Sequence, residues 1–383
     1  MRYSGVVLLL LLSPADAQSI FKVVPTPNGH HGVSNNALSG AAASSPSDIW
    51  AVGQTTIHYD GTQWTAFNAP LIKGDNTSLL TGIVDISPTE AWAVGFINQG
   101  LANPGQIIEQ WNGTQWTEYT GLTFNPGDRP SLNSMSAVSA TDIWAVGTLL
   151  TGGTQILEAL YEHWDGTAWT KQAGPFAGFF EGVSAVSAND TWAVGFTAGN
   201  TTFSEHYDGT RWQVIPTPSV GSGPNYLWGV TALATNDVWA VGYSTASNKP
   251  PPGQYNVPTK TLIIHYDGTG WTVVPSPNMG PHSQYQNNQL RGITAVSPND
   301  IWGFGSYFAA DGSGQQSTLL LHWDGNSWTL QPSPSPKPGN FRSDGLNGGV
   351  VTGPGNVWIV GSMDPATTGR PVTATFVLHT SGG

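Results

Sequence analysis

A segment of the type Asp-x-Trp-Ala-Val-Gly that recurs seven times, a second recurring signature of the type His-Tyr-Asp-Gly-Thr-Gln-Trp, and an N-terminal stretch that copies a late repeat together predict an all-β, seven-bladed β-propeller. The repeated tryptophans stand at 50, 92, 144, 192, 239, 302 and 358, about 42 to 63 residues apart. That period suits a four-stranded blade better than one turn of a solenoid.

Each repeat reads as four antiparallel strands, a to d. Strand a carries small and β-branched residues, as in Leu290 to Val296, and a Ser-Pro-Asn-Asp turn leads into strand b at Ile301-Trp302-Gly303-Phe304. Strand c ends in an aromatic residue, and the Asp-Gly or Asn-Gly that follows predicts a two-residue hairpin turn with both residues at positive φ. Strand d starts near the second Trp. The seventh repeat stops at Val377-Leu378-His379-Thr380-Ser381 without a strand d, yet Phe21 to Asn28 matches Trp271 to Asn278, the strand d of the fifth repeat. The N-terminal segment is therefore expected to complete the last blade, which would leave the ring without an unpaired edge between its ends.

Composition agrees with this plan. Of 383 residues only 9% are charged, with 48 Gly, 28 Pro and 17 Trp, the mark of many short strands and turns rather than amphipathic helices. The formal net charge of −12, with no Lys/Arg cluster, excludes a nucleic-acid groove. Absence of Cys excludes disulfides, a thiol nucleophile and a thiolate metal site. Residues 1–17 read as a signal peptide: Arg2 in the n-region, Val6 to Leu12 as the apolar core, and Ala15-Asp16-Ala17 as the cleavage signal. The apolar run is too short to span a membrane. Residues 18–383 are then one propeller domain, secreted to the extracellular space or the periplasm, and expected to act as a monomer.

The repeats resemble those of a broad group of secreted bacterial propellers built from Asp-x-Trp-Ala-Val-Gly and His-Trp-Asp-Gly-Thr-x-Trp units. The resemblance spans residues 19–383 and implies the fold, but no activity. Asp60-Gly61-Thr62-Gln63-Trp64 does not have the Asp-x-Gly-x-Thr-Trp order of an Asp box, and no arginine triad is picked out by motif.

Residues common to all repeats read as structural. Six of the nine histidines (58, 163, 206, 265, 322 and 379) share one strand-c position, where a buried hydrogen bond from blade to blade is expected rather than a metal. Asp48, Asp142, Asp190, Asp237 and Asp300 read as turn-forming, and the repeated Trp as packing between blades.

Function is sought where the repeats diverge. The b–c and d–a connections are long and different in every blade (Ser244–Lys260, Val274–Gln289, Tyr307–Ser317, Pro332–Gly345), so binding is assigned to that face. At the entry of strand a, one position varies between constant neighbours: Ser39, Thr81, Asn133, Glu181, Trp228, Arg291 and Asn347. It is expected to ring the channel mouth. Glu181, Trp228 and Arg291 fall in three consecutive blades, and Tyr226, His282, Tyr285, Tyr307, Phe341 and Arg342 belong to loops of the same sector. An aromatic surface with charged hydrogen-bonding groups suits an extracellular glycan or a protein segment. Asp85 replaces the Ala or Val of the other inner strands, and Glu109, Glu162 and Glu205 replace apolar residues of strand c. These are expected to be hydrogen-bonded within the structure. A non-enzymatic recognition module without metal or cofactor is the leading expectation. A secreted carbohydrate-active hydrolase or lyase, and a matrix building block, are the alternatives.

Overall fold

The computed structural model describes residues 19–29, 35–70, 78–97, 105–152, 157–175, 178–249, 257–280, 287–308, 315–334, 344–364 and 373–380. Their 28 strands form seven antiparallel sheets of four, and no helix occurs among the described residues. The chain is a seven-bladed β-propeller.

Blade 4 shows the plan. Strand a is Gly178–Ser187, and strands b (Asp190–Thr197), c (Thr202–Tyr207) and d (Trp212–Ile215) follow in order outward from the channel. Strand b lies inside the sheet and is covered on both faces by neighbouring blades. It therefore reads as a continuous apolar run instead of an alternation; all six residues of Asp48–Gly53, for example, are buried.

The repeated Trp of strand b packs across to the next blade. Trp192 meets Tyr266 at 4.6 Å and Trp271 at 5.7 Å between ring centroids, and Trp50 meets Trp111 and Trp116 at 4.8 and 5.1 Å. Seven such contacts, one per blade boundary, hold the blades face to face. Residues Phe21–Val24 pair with Ala374–Thr380 in the register Phe21 to Thr380 and Val24 to Val377, completing blade 7. Phe21 sits edge-on to Trp302 at 5.0 Å, filling the place that a strand-d Trp takes elsewhere.

Two local expectations are corrected. First, the repeated His does not bridge blades. His58, His163, His206, His265 and His322 bond the carboxylates of Asp48, Asp142, Asp190, Asp237 and Asp300 in their own blades at 2.6–2.9 Å. His379 bonds Asn356 at 2.6 Å instead. Strands b and c are antiparallel neighbours, so the His faces the residue that opens strand b while its ring lies on the Trp two residues further on, as in His206 on Trp192 at 4.5 Å. The histidines are half-buried, being only covered from one side.

Second, the c–d turn has four residues. Tyr59 pairs with Trp64, leaving Asp60 to Gln63 between them, and only Gly61 takes a positive φ, of 91°. Asp60 Oδ1 accepts from the backbone N of Thr62 and Gln63 at 2.8 and 2.9 Å, so the side chain itself closes the turn. Those bonds, led by the one from the Thr62 hydroxyl, hold the Asp60 carboxyl down at about 2.

Candidate ligand-binding site at the channel mouth

In all seven inner strands the ladder breaks at the same place. The register skips between Leu38 and Gly40, Leu80 and Gly82, Leu132 and Ser134, Phe180 and Gly182, Leu227 and Gly229, Leu290 and Gly292, and Leu346 and Gly348. The skipped residues are Ser39, Thr81, Asn133, Glu181, Trp228, Arg291 and Asn347. A β-bulge frees one residue from pairing and re-aims its side chain. Here all seven bulged residues line one cavity of about 420 Å³ at the channel mouth.

Six of these seven residues divide into two kinds. Thr81 donates its hydroxyl to the Leu132 carbonyl at 2.7 Å, Asn133 its amide to the Phe180 carbonyl at 2.7 Å, and Asn347 its amide to the Leu38 carbonyl at 2.9 Å. Each of those carbonyls belongs to the next blade, so the side chain ties two blades together. Glu181, Trp228 and Arg291 make no such bond among the described residues. They stand side by side as one wall of the cavity.

Arg291 lies over the Trp228 ring, its Cζ 4.3 Å from the centroid, a cation–π contact that fixes the guanidinium plane. Its Nη2 donates to Gln289 Oε1 at 3.1 Å. Burial lowers the Arg291 pKa from its usual value, opposed by the nearby Tyr243 and Glu181, and leaves it a cation at neutral pH. Burial likewise pushes the Glu181 carboxyl up to about 8, against the pull of the Arg291 charge. At neutral pH Glu181 is therefore protonated and offers an O–H rather than a counter-charge. Trp228 Nε1 is itself buried and presents no donor to the channel.

Behind the wall stands an aromatic row. Phe196 approaches Trp228 at 6.2 Å, Phe179 stacks on Phe196 at 4.6 Å, and Tyr226 meets Phe196 at 4.7 Å and Tyr243 at 4.9 Å. The Tyr226 hydroxyl donates to Asn200 Oδ1 at 3.0 Å. Asn200 holds φ at +59° in the b–c turn of blade 4, a left-handed position that Asn tolerates. Tyr226 thus supports the wall from behind without lining the cavity. Tyr307 packs against the apolar cluster around Trp239 and Leu290 and does not line the cavity either. His282, Tyr285, Phe341 and Arg342 lie outside the described residues.

Phe179, Phe196, Tyr243 and Gln289 were not singled out from sequence. The signal for Phe196 and Tyr243 was available, because both directly follow the glycine that closes the strand-b motif. Blade 2 carries Phe96 there, and the remaining repeats carry Gln54, Thr148, Ser306 and Ser362.

The opposite end of the channel is a second cavity that shares Ala41, Ile83 and Met135 with the mouth. Asp85 lines it, accepting from the Ser44 backbone N at 2.8 Å. Burial and then the Asp48 charge push its carboxyl up to about 8. The strand-c acids are fully buried between blades: Tyr161 donates to Glu205 at 2.6 Å and Gln106 to Glu162 at 3.4 Å.

No family model and no curated protein matches the chain. Among solved structures it is similar to YCF48 bound to D1 peptide, with a TM-score of 0.56 and 13% identity over 95% of this chain and 96% of that one. It is also similar to the BP39L lectin from Burkholderia pseudomallei, with a TM-score of 0.54 and 12% identity over 90% of this chain and 97% of that one. A chain of the mitotic checkpoint complex covers 100% of both at a TM-score of 0.53 and 9% identity. At these identities the likeness is one of fold, and the fold they share with this chain is the β-propeller.

Proposed function

We propose that this chain is an exported, non-enzymatic recognition module that captures a glycan or a protein segment at the channel mouth. One observation carries the reading. Three consecutive bulged residues, Glu181, Trp228 and Arg291, are released from the blade-to-blade ties made by Thr81, Asn133 and Asn347, and together form one polar and aromatic wall. A concave site of this size, with few convergent polar groups on a rigid scaffold, is suited to binding. Support of a weaker kind comes from the similar propellers, one described with a peptide and one as a lectin. Export rests on the signal-like residues 1–17 and on the resemblance to secreted bacterial propellers.

A secreted hydrolase or lyase is the second reading. Glycoside hydrolysis in its usual form needs two carboxyl groups facing one cleft. Glu181 is the one carboxylate among the described residues lining the mouth, Asp85 lines the other end, and Glu109, Glu162 and Glu205 are sealed between blades. That distribution favours binding.

The test is a glycan array, together with a peptide array, probed with residues 18–383 and with Trp228→Ala. A reproducible hit that vanishes in the variant, with unchanged circular dichroism and melting, is the expected result. Blank arrays with folded protein would remove the recognition reading and favour assembly.

A further inference from the structure

Resting on that recognition reading, we infer that the mouth is built for a carboxylate-bearing sugar, a single uronate unit held with its carboxylate at Arg291 and its hydroxyls toward Asn133 and Asn347.

The order of the bulged residues around the ring carries the argument. Blades 3 to 7 contribute Asn133, Glu181, Trp228, Arg291 and Asn347 in succession, so Glu181 and Arg291 stand on either side of Trp228 and an asparagine stands beyond each of them. Arg291 is paired with no carboxylate among the described residues; its one hydrogen bond goes to the neutral Gln289. A guanidinium has five N–H donors in a fixed fork, so most remain for a ligand, and stacking on Trp228 holds the fork in orientation. A planar carboxylate is the group that such a fork binds bidentately.

The two asparagines supply the complementary half. Each amide nitrogen is committed to a backbone carbonyl of the next blade, at 2.7 Å for Asn133 and 2.9 Å for Asn347. A carbonyl can only accept, so the amide orientation is forced, and Oδ1 of each is left as an acceptor. Asn347 stands in the blade next to Arg291 and Asn133 across the mouth, and acceptors that share one cavity with a cation call for a ligand with hydroxyl donors besides its negative group. A uronic acid has both on one ring. An aliphatic acid lacks the hydroxyls, and a neutral hexose leaves the Arg291 charge unmatched.

Two further observations narrow the class. Arg291 takes one face of Trp228, so the aromatic serves as a platform for the cation and that face is closed to direct stacking by a sugar. The net charge of −12 disfavours approach of a polyanionic chain, which points to one acidic unit on an otherwise neutral glycan. The cavity of about 420 Å³ is of the size that takes a small ligand.

The experiment is a saturation-transfer NMR titration at pH 7 of residues 18–383 with D-glucuronate, D-glucuronamide, D-glucose and N-acetyl-diglycine. Glucuronate should bind at least about tenfold more tightly than its amide and than glucose, as expected for a charge-assisted pair. Arg291→Gln should erase the preference. The amide comparison uses the unaltered protein, so it decides the question even where the variant does not fold. Equal affinity for acid and amide would overturn the carboxylate assignment and leave recognition standing. Binding of N-acetyl-diglycine without the sugars would overturn the sugar assignment and move a protein carboxylate into its place. No binding of any probe, beside a Trp228-dependent array hit, would overturn this inference alone; no binding beside blank arrays would overturn the recognition reading with it.

Discussion

At the scale of single residues, the chemistry of the mouth turns on the protonation of Glu181. Burial in the wall raises its carboxyl to about 8, and the charge that opposes this is Arg291, across the Trp228 ring. Tyr243, the other titratable group near Arg291, is raised by burial and is neutral throughout the physiological range. Below about 8, Glu181 is a hydrogen-bond donor and the Arg291 charge is open to a ligand. Above it, the carboxylate neutralises the wall. Capture of an anionic ligand should therefore weaken as pH rises from about 7 to 9, and Glu181→Gln should flatten that profile, both read from titrations at fixed ionic strength. Loss of capture in Trp228→Ala at every pH is the companion expectation, because it removes the platform that orients Arg291.

At the scale of strands, two features set stability. The glycine that ends each strand-b motif lies under the bulge of strand a, and a Cβ on Gly242 would fall 1.9 Å from the Tyr226 carbonyl oxygen. Backbone cannot yield as a side-chain tip can. Gly242→Ala is expected to cost about 1–3 kcal/mol or more in denaturant unfolding, and to lower ligand capture by displacing Trp228.

The second feature is the set of acids in strand c. Glu162 and Glu205 are pushed up to about 7 from an ordinary 4.5, by burial in both cases, against partial relief from the Gln106 and Tyr161 hydrogen bonds. The folded state thus holds protons that the unfolded chain would release. Their contribution to stability is complete below about 4.5 and is lost as pH rises through about 7, on the order of 3 kcal/mol for each. The melting temperature should fall between about pH 5 and 8, and Glu205→Gln, which keeps an acceptor for Tyr161, should reduce that slope. A slope unchanged in the variant would place the buried proton elsewhere.

At the scale of the whole ring, closure depends on four residues at one end of the chain. Phe21–Val24 cover the outer edge of Ala374–Thr380, and Phe21 packs on Trp302 across the boundary between blades 6 and 7. Removing residues 18–28 would expose a strand edge and strip the blade 6 tryptophan of its partner. The shortened protein should melt at lower temperature with reduced cooperativity, and should form concentration-dependent aggregates by size-exclusion chromatography. Retention of the parental melting temperature would mean that the seven sheets hold without this strand.

Much of this architecture was legible in the sequence because a repeat reports itself. Seven Trp at one motif position established the blade count, and the match of Phe21 to Asn28 with Trp271 to Asn278 located the closing strand. The variable position from Ser39 to Asn347 was also visible, since its constant neighbours framed it. What it does was not. A motif shows that residues vary, but a break in register is a property of two paired strands, so the bulge that turns Glu181, Trp228 and Arg291 inward exists only in the folded sheet. The same holds for the histidines: equivalence in sequence placed them in one strand-c position, and pairing across strands b and c decided that His206 meets Asp190 of its own blade. By itself, then, the sequence determined blade number, strand order and the closing strand, because these repeat or match along the chain. Which of seven equivalent side chains ties its blade to the next, and which faces the channel, was decided only in three dimensions, because it depends on the carbonyl that each one meets.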